Sequence, residues 1–245
     1  MSVICIDVGN TFTKIAVFEN DDMKNVVTFS SGSPEKMLQH FSSLPRFSAG
    51  IMSVVGNVDG DIANVLSSKV DFYIELTAQT PLPIKNLYKT PETLGKDRLA
   101  AVIGAYCQYP GKNILVVDAG TALTFDFIDK TGNYHGGNIS PGINIRFRAL
   151  HDYTQRLPLE ERTADFPMFG NSTKTAIIAG VQNGIIFEVS SYINHLKRKY
   201  GEMVFIFSGG DAIFFADKME TPIFVESNLV LIGLNEIVKY NLRRE

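Results

Sequence analysis

Cysteine, histidine and long apolar runs are all scarce in this sequence. The two cysteines, Cys5 and Cys107, each sit among apolar residues, which fits buried reduced thiols and excludes a disulfide framework. Four histidines are present. His40 and His195 lie in helical runs, His151 at a helix end and His135 ahead of a glycine pair, so packing or surface roles are expected. No metal-ligand spacing or Ser-His-Asp order is visible. No stretch approaches about 18 consecutive apolar residues, and Met1-Ser2-Val3-Ile4 lacks the basic and apolar regions of a leader. The expected location is the cytoplasm. Positive charge is also short, with 23 basic against 26 acidic residues and a net charge of −3. The densest basic cluster, Lys197-Arg198-Lys199, falls at a helix end, where cations meet the negative end of the dipole. Without a basic stripe to displace counterions from phosphates, neither nucleic acid nor a membrane is an expected partner.

What is present is an ordinary globular composition, 45% hydrophobic and 20% charged over 245 residues, enough for one large or two modest domains. Two segments then read as one device used twice. Val3-Ile4-Cys5-Ile6-Asp7-Val8-Gly9-Asn10-Thr11 continues into Phe12-Thr13-Lys14-Ile15-Ala16-Val17-Phe18. Ile114-Leu115-Val116-Val117-Asp118-Ala119-Gly120-Thr121 continues into Ala122-Leu123-Thr124-Phe125-Asp126-Phe127-Ile128. Each is an apolar strand, a glycine bend and a returning antiparallel strand. The leading strands are apolar throughout, as strands buried on both faces are. Asp7 aligns with Asp118, Gly9 with Gly120 and Thr13 with Thr124 at a spacing of 111 residues (118 − 7). A repeat near half the chain implies duplicated domains rather than a solenoid.

Between the two devices the periodicity predicts strands near 25–30, 48–55 and 71–76 and helices near 34–43 and 60–68. A proline-rich loop spans Thr80 to Pro91, and Gly95-Lys96-Asp97-Arg98 opens a helix that Pro110-Gly111 ends. After the second device come a Gly136-Gly137-Asn138-Ile139-Ser140-Pro141-Gly142 turn, a short helix near 143–151 and a long one from about Thr175 to Tyr200. A strand at 203–207, a short helix, a strand near 223–225 and a helix near 229–241 complete the chain. Strands alternating with helices, with hairpins added, make an α/β class. The expected domains are 1–111 and 112–245.

Glycine bends bring backbone N–H groups close to a phosphate, and nearby hydroxyls and amides add donors. Gly9-Asn10-Thr11 and Gly120-Thr121 have that composition. Asp7 and Asp118 would set carboxylates beside those phosphates, a repulsion that a bound hard cation removes, and Lys14 could add positive charge. A plain hairpin also uses Asp and Gly, and Lys14 also suits a solvated strand face. Asp97 and Arg98 open a helix, where an acidic residue stabilises the first turn with or without catalysis.

Asp7-x-Gly-Asn-Thr-x-x-Lys14 and Asp118-x-Gly-Thr resemble the two phosphate loops of the superfamily of actin, Hsp70 chaperones and sugar kinases. Ser208-Gly209-Gly210-Asp211 resembles its adenosine motif. Tyr88, Pro91 and Gly95-x-Asp97-Arg98 resemble the substrate segment of type III pantothenate kinases, as do Gly136-Gly137-x-Ile139-x-Pro141-Gly142 and Gly170-Asn171-Ser172-Thr173. The resemblance runs from Asp7 to about Gly210. It implies two duplicated actin-like (ribonuclease H-like) domains with a nucleotide cleft between them, and ATP-dependent phosphorylation of pantothenate, the first step toward coenzyme A. It further implies that Asp97 accepts the proton of the pantothenate hydroxyl, while Tyr88, Gly95, Lys96, Arg98 and Thr173 contact that substrate. The ATP loop comprises Asp7, Val8, Gly9, Asn10, Thr11, Phe12, Thr13 and Lys14, joined by Thr121. Mg²⁺ would accompany ATP, Asp118 would bind a monovalent cation (K⁺ or NH₄⁺), and the protein would be a homodimer. Thr173 also reads as a helix N-cap. Two other readings share the fold: a non-catalytic accessory protein, and a kinase for another small acid or sugar.

Overall fold

The computed structural model describes residues 1–31, 34–55 and 60–244. Its contacts divide into two units, one of Met1–Pro110, Gly132–Tyr134 and Asn228–Glu245, the other of Gly111–Thr131 and His135–Ser227.

In the first unit, β1 (Ser2–Val8), β2 (Phe12–Glu19), β3 (Asp22–Ser30), β4 (Phe47–Val54) and β5 (Val70–Glu75) form one sheet in the order β3-β2-β1-β4-β5. β1 is antiparallel to β2 and parallel to β4. Its residues alternate between two covered faces. Ile4, Ile6 and Val8 join a core with Met37 and Phe41 of α1 (Pro34–Ser43) and Ile62 and Leu66 of α2 (Gly60–Ser68). Val3 and Cys5 are equally buried on the other side, where α7 (Leu229–Leu242, last in the chain) packs on β1 and β4 and on α3 (Lys96–Gln108). β6 (Lys85–Asn86) pairs in parallel with Asn133 and Tyr134. The linear division at residue 111 put the last helix with the second half. Its apolar residues Leu231, Leu234 and Ile237 are buried in the first unit instead, because three-dimensional burial outweighs chain order.

The second unit repeats the order. β7 (Asn113–Ala119), β8 (Ala122–Ile128), β9 (Asn133–Pro141, in this unit from His135 onward), β10 (Met203–Ser208) and β11 (Phe224–Val225) lie as β11-β10-β7-β8-β9. Each of these strands occupies the place of its counterpart six numbers earlier, so the duplication read from the two hairpins extends to the whole sheet. Leu115, Val117 and Ala119 of β7 pack against Ile143 and Phe147 of α4 (Ile143–Asp152), the apolar face of α5 (Thr173–Tyr200), and Ala212 and Phe215 of α6 (Ala212–Ala216). Among the described residues α5 is long and apolar enough to cross a membrane by length and composition, with 44% of its most apolar window buried in the fold.

Three further expectations are corrected. The Gly136-Gly137 segment is strand, not turn, and the turn comes earlier at Gly132, where φ is +80°. A Cβ at Gly137 would sit 1.6 Å from the carbonyl oxygen of Phe125, so β9 can lie beside β8 only without a side chain there. The equivalence of Thr13 with Thr124 also fails. The bend after β1 holds three residues and that after β7 two, so Asp7 faces Lys14 across its hairpin while Asp118 faces Thr124. Finally, Cys5 is buried but Cys107 only partly so. Burial raises both thiol pKa values, that of Cys107 to about 11 with Glu236 adding to the effect.

Candidate active site

Each doubly covered strand carries its aspartate to its carboxyl end, on the face opposite the alternate apolar residues beside it. After β1 the chain bends through Gly9-Asn10-Thr11. Gly9 N–H donates to Phe12 O at 3.0 Å and Val55 N–H to Val8 O at 2.9 Å. Asn10, Thr11 and Phe12 are exposed, Val8 and Thr13 are buried, and Lys14 is half-buried. A residue outside the motif holds this bend: Ser31 donates its hydroxyl to Gly9 O at 2.7 Å and its N–H to Thr11 O at 3.0 Å. The Thr13 hydroxyl lies 3.4 Å from that of Ser31. Ser31 follows an unremarkable strand, and only the pairing of β3 with β2 brings it here.

In the second unit, Gly120 N–H donates to Ala122 O at 3.0 Å and Thr121 is exposed. Asp118 is half-buried and stands beside Ser208 of β10 as well as Thr124 of β8. The Thr124 hydroxyl is buried with no hydrogen-bond partner, an arrangement that costs free energy unless something else ligates it. Directly opposed residues on an antiparallel pair share a face with their Cβ atoms about 5 Å apart, close enough for one ion to meet both oxygens. Among the described residues no group of three His, Cys, Asp or Glu side chains could hold a metal. A hard cation here would draw on carboxylate and hydroxyl oxygens, as K⁺ can. The Ser208-Gly209-Gly210-Asp211 bend follows β10. Gly209 has φ +88°, its Cβ would lie 2.4 Å from Ala119 O, and Asp211 N–H donates to that oxygen at 2.9 Å. Burial raises the carboxyl pKa of Asp211, while its 2.8 Å ion pair with Arg162 works the other way. Asp211 and Arg162 border a cavity of about 450 Å³ that Phe147, Arg148 and Leu159 also line, a size suited to a small ligand.

The substrate segment lies in the first unit. Gly95 caps α3, placing Lys96, Asp97 and Arg98 in its first turn. The Asp97 carboxylate folds back and accepts the N–H of Arg98 at 2.8 Å, using a donor that a helix N-terminus leaves over and gaining from the dipole. Gly95 leaves room for this, since a Cβ there would lie 2.5 Å from Asp97 Oδ1. Arg98 is only 8% exposed. Its guanidinium lies 5.9 Å from the ring centre of Tyr88, which stacks on the buried ring of Tyr134 at 6.4 Å and 12°. The structure therefore brings Tyr88, Gly95, Asp97 and Arg98 together and adds Tyr134, which carried no motif. Thr173 is exposed in the first turn of α5, and the N-cap is Ser172, paired reciprocally with Thr175.

These glycines differ in what a methyl group would meet. Gly209→Ala drives a Cβ into the Ala119 carbonyl at positive φ, so its denaturation midpoint should fall, with about 1–3 kcal/mol of stability lost. Gly95→Ala meets the movable end of Asp97 and should stay within about 1 kcal/mol of the parent. Equal midpoints for the two variants would count against these packing assignments.

Comparison with known proteins agrees with the layout. Residues 3–195 match the type III pantothenate kinase family. A type III pantothenate kinase of Phocaeicola vulgatus is 44% identical over 97% of this chain and 98% of its own length. One from Porphyromonas gingivalis is 39% identical over 98% of each. Among solved structures, a Campylobacter jejuni protein described as a Baf family transcriptional activator aligns at TM-score 0.61 and 22% identity, over 98% of this chain and 99% of that one. A glucokinase from an Antarctic psychrotroph aligns at TM-score 0.53 and 11% identity, over 98% and 99%. These two likenesses speak to the fold alone: a duplicated actin-like α/β architecture shared with sugar kinases. With residues 3–195 of this chain matched by the family and relatives similar from end to end, the chain belongs to the type III pantothenate kinase family.

Proposed function

We propose that this protein transfers the γ-phosphoryl group of ATP to the primary hydroxyl of pantothenate, opening coenzyme A synthesis, with Asp97 as the residue that orients the hydroxyl. The observation that carries the assignment is the first turn of α3. There a carboxylate is held by a backbone N–H, with a buried guanidinium beside it and a tyrosine stack behind. A carboxylate stabilised as the anion by a helix N-terminus is a weak base. In a loose phosphoryl-transfer transition state the hydroxyl proton leaves late, so orienting the nucleophile is the larger task.

Tyr88, Gly95, Lys96 and Arg98 bind pantothenate, the guanidinium suiting a carboxylate, and the Thr173 hydroxyl is a further contact to it. Asp7, Val8, Gly9, Asn10, Thr11, Phe12, Thr13, Lys14 and Thr121 form the ATP loops. Their backbone N–H groups and the exposed Asn10, Thr11 and Thr121 side chains supply donors. The buried Thr13 side chain contributes by shaping the bend. The cavity beside Asp211 offers the adenosine a place. Mg²⁺ bound with ATP lowers the charge on the phosphates. Asp118 holds a monovalent cation, K⁺ or NH₄⁺, and the unpartnered Thr124 hydroxyl across the hairpin is what supports this assignment.

The protein acts in the cytoplasm and needs neither nucleic acid nor a membrane. It works as a homodimer. Support comes from α5, whose solvent side carries Ala176, Gly180 and a 55% exposed Phe187, a small-and-apolar stripe that suits close helix packing. Sedimentation at micromolar concentration should give twice the chain mass, and a monomer there would count against the dimer.

A coupled assay of ADP release decides the reaction. Pantothenate should stimulate release, and Asp97→Asn should lower turnover at least about 10²-fold with an unchanged melting temperature. Near-normal turnover would remove Asp97 from its role, and release indifferent to pantothenate would reject the substrate. Replacing Na⁺ with K⁺ should raise the rate of the parent. Thr124→Val keeps the shape and removes the unpartnered hydroxyl. It should reduce the K⁺ activation about tenfold and leave thermal stability equal or slightly higher. Undiminished K⁺ activation in that variant would exclude Thr124 as a ligand.

A further inference from the structure

We infer that Arg146, held by Glu188, is a positioning residue for the second phosphate loop. This rests on the reading of Gly120-Thr121 as such a loop. Nothing in the sequence motifs points to Arg146, which lies one turn into α4.

The bend at Gly120-Thr121 does not stand alone. The junction where β9 runs through Ser140-Pro141-Gly142 into α4 lies against it, with Gly142 N–H donating to Thr121 O at 3.1 Å. The approach is close enough that a Cβ on Gly142 would come 2.2 Å from Gly120 O and 2.5 Å from Thr121 O. Whatever fixes this junction therefore fixes the loop backbone. Gly142 caps α4 but has no side chain with which to anchor itself.

Arg146 supplies the anchor. Its Nε donates to Pro141 O at 2.8 Å and its terminal nitrogen to Ser140 Oγ at 3.0 Å. The same terminal nitrogen pairs with the Glu188 carboxylate of α5. Both side chains are largely out of water, at 21% and 24% exposure, where a charge-assisted bond is stronger than at the surface. One planar group thus ties the end of β9, the first turn of α4 and the long helix α5. Only arginine has donors spread over a rigid fork that can reach three acceptors at once. A staple between α4 and α5 would need only the ion pair. The bonds to Ser140 and Pro141 point specifically at the end of β9, on which the loop rests.

The distinction can be measured. Arg146→Met should raise KM for ATP about tenfold, the loss expected for one or two charge-assisted bonds, with KM for pantothenate within about twofold of the parent. Arg146→Lys keeps the pair with Glu188 but loses the fork, and should fall between. Glu188→Gln keeps an acceptor without the charge and provides a milder variant should Arg146→Met fold poorly. In the ligand-free protein, amide hydrogen exchange across 118–124 should speed up about tenfold in Arg146→Met and less in Glu188→Gln, with exchange across β1 and β2 unchanged. Unaltered exchange in 118–124, or equal rises in both KM values, would overturn the assignment and leave Arg146 as a helix staple. If the parent released no ADP on adding pantothenate, the functional reading would fall while the exchange experiment still decided the role of Arg146.

Discussion

A carboxylate at the end of a strand covered on both faces must be met by positive charge or by hydrogen-bond donors. Asp7 and Asp118 each stand at such an end. The helices on either side of β1 remove its flanks from water, and β7 runs equally apolar between its neighbours. What can approach each aspartate is therefore set by the adjoining bend and by the residue across the hairpin. One unit offers the Lys14 ammonium opposite its aspartate, the other the neutral Thr124 hydroxyl. A difference of one residue in loop length produces this change, because it alters which side chain comes opposite. The duplicated device thus holds two aspartates in unlike electrostatic surroundings, one facing a cation built into the chain and one facing a hydroxyl that a bound ion can use.

The bends depend in turn on segments that contribute no chemistry. Ser31 fastens the first loop through Gly9 and Thr11, and the β9–α4 junction at Gly142, held by Arg146, backs the second. Backbone N–H groups are useful to a phosphate only when they already point at it, since ordering them on binding would consume binding free energy. Asp97 is held in the same spirit. Its carboxylate is pinned by the N–H of the next residue, which the absent side chain of Gly95 permits.

Much of this was legible along the chain. The apolar runs ending at Asp7 and Asp118 gave the central strands of both sheets, since only doubly buried strands are so uniformly hydrophobic. Gly95 through Arg98 read as a helix start because such residues suit exposed N–H groups. The Gly136-Gly137 pair misled, because glycine marks close backbone approach as well as turns, and a two-residue strand such as β6 is too short to show a period. The home of α7 was equally hidden, as its burial depends on α3 and β1, more than 100 residues earlier. Tyr134 and Ser31 carried no local signal, being drawn in by strand pairing.

By itself, the sequence determined which strands are doubly buried, where the acidic bends fall, and that one device occurs twice. Those are properties of neighbours along the chain, set by side-chain period and backbone preference. Only the tertiary structure decided which residue faces each aspartate, which helix covers which sheet, and which side chains brace the loops. Such relations arise between segments far apart in the chain, through strand register and packing, and no local pattern encodes them.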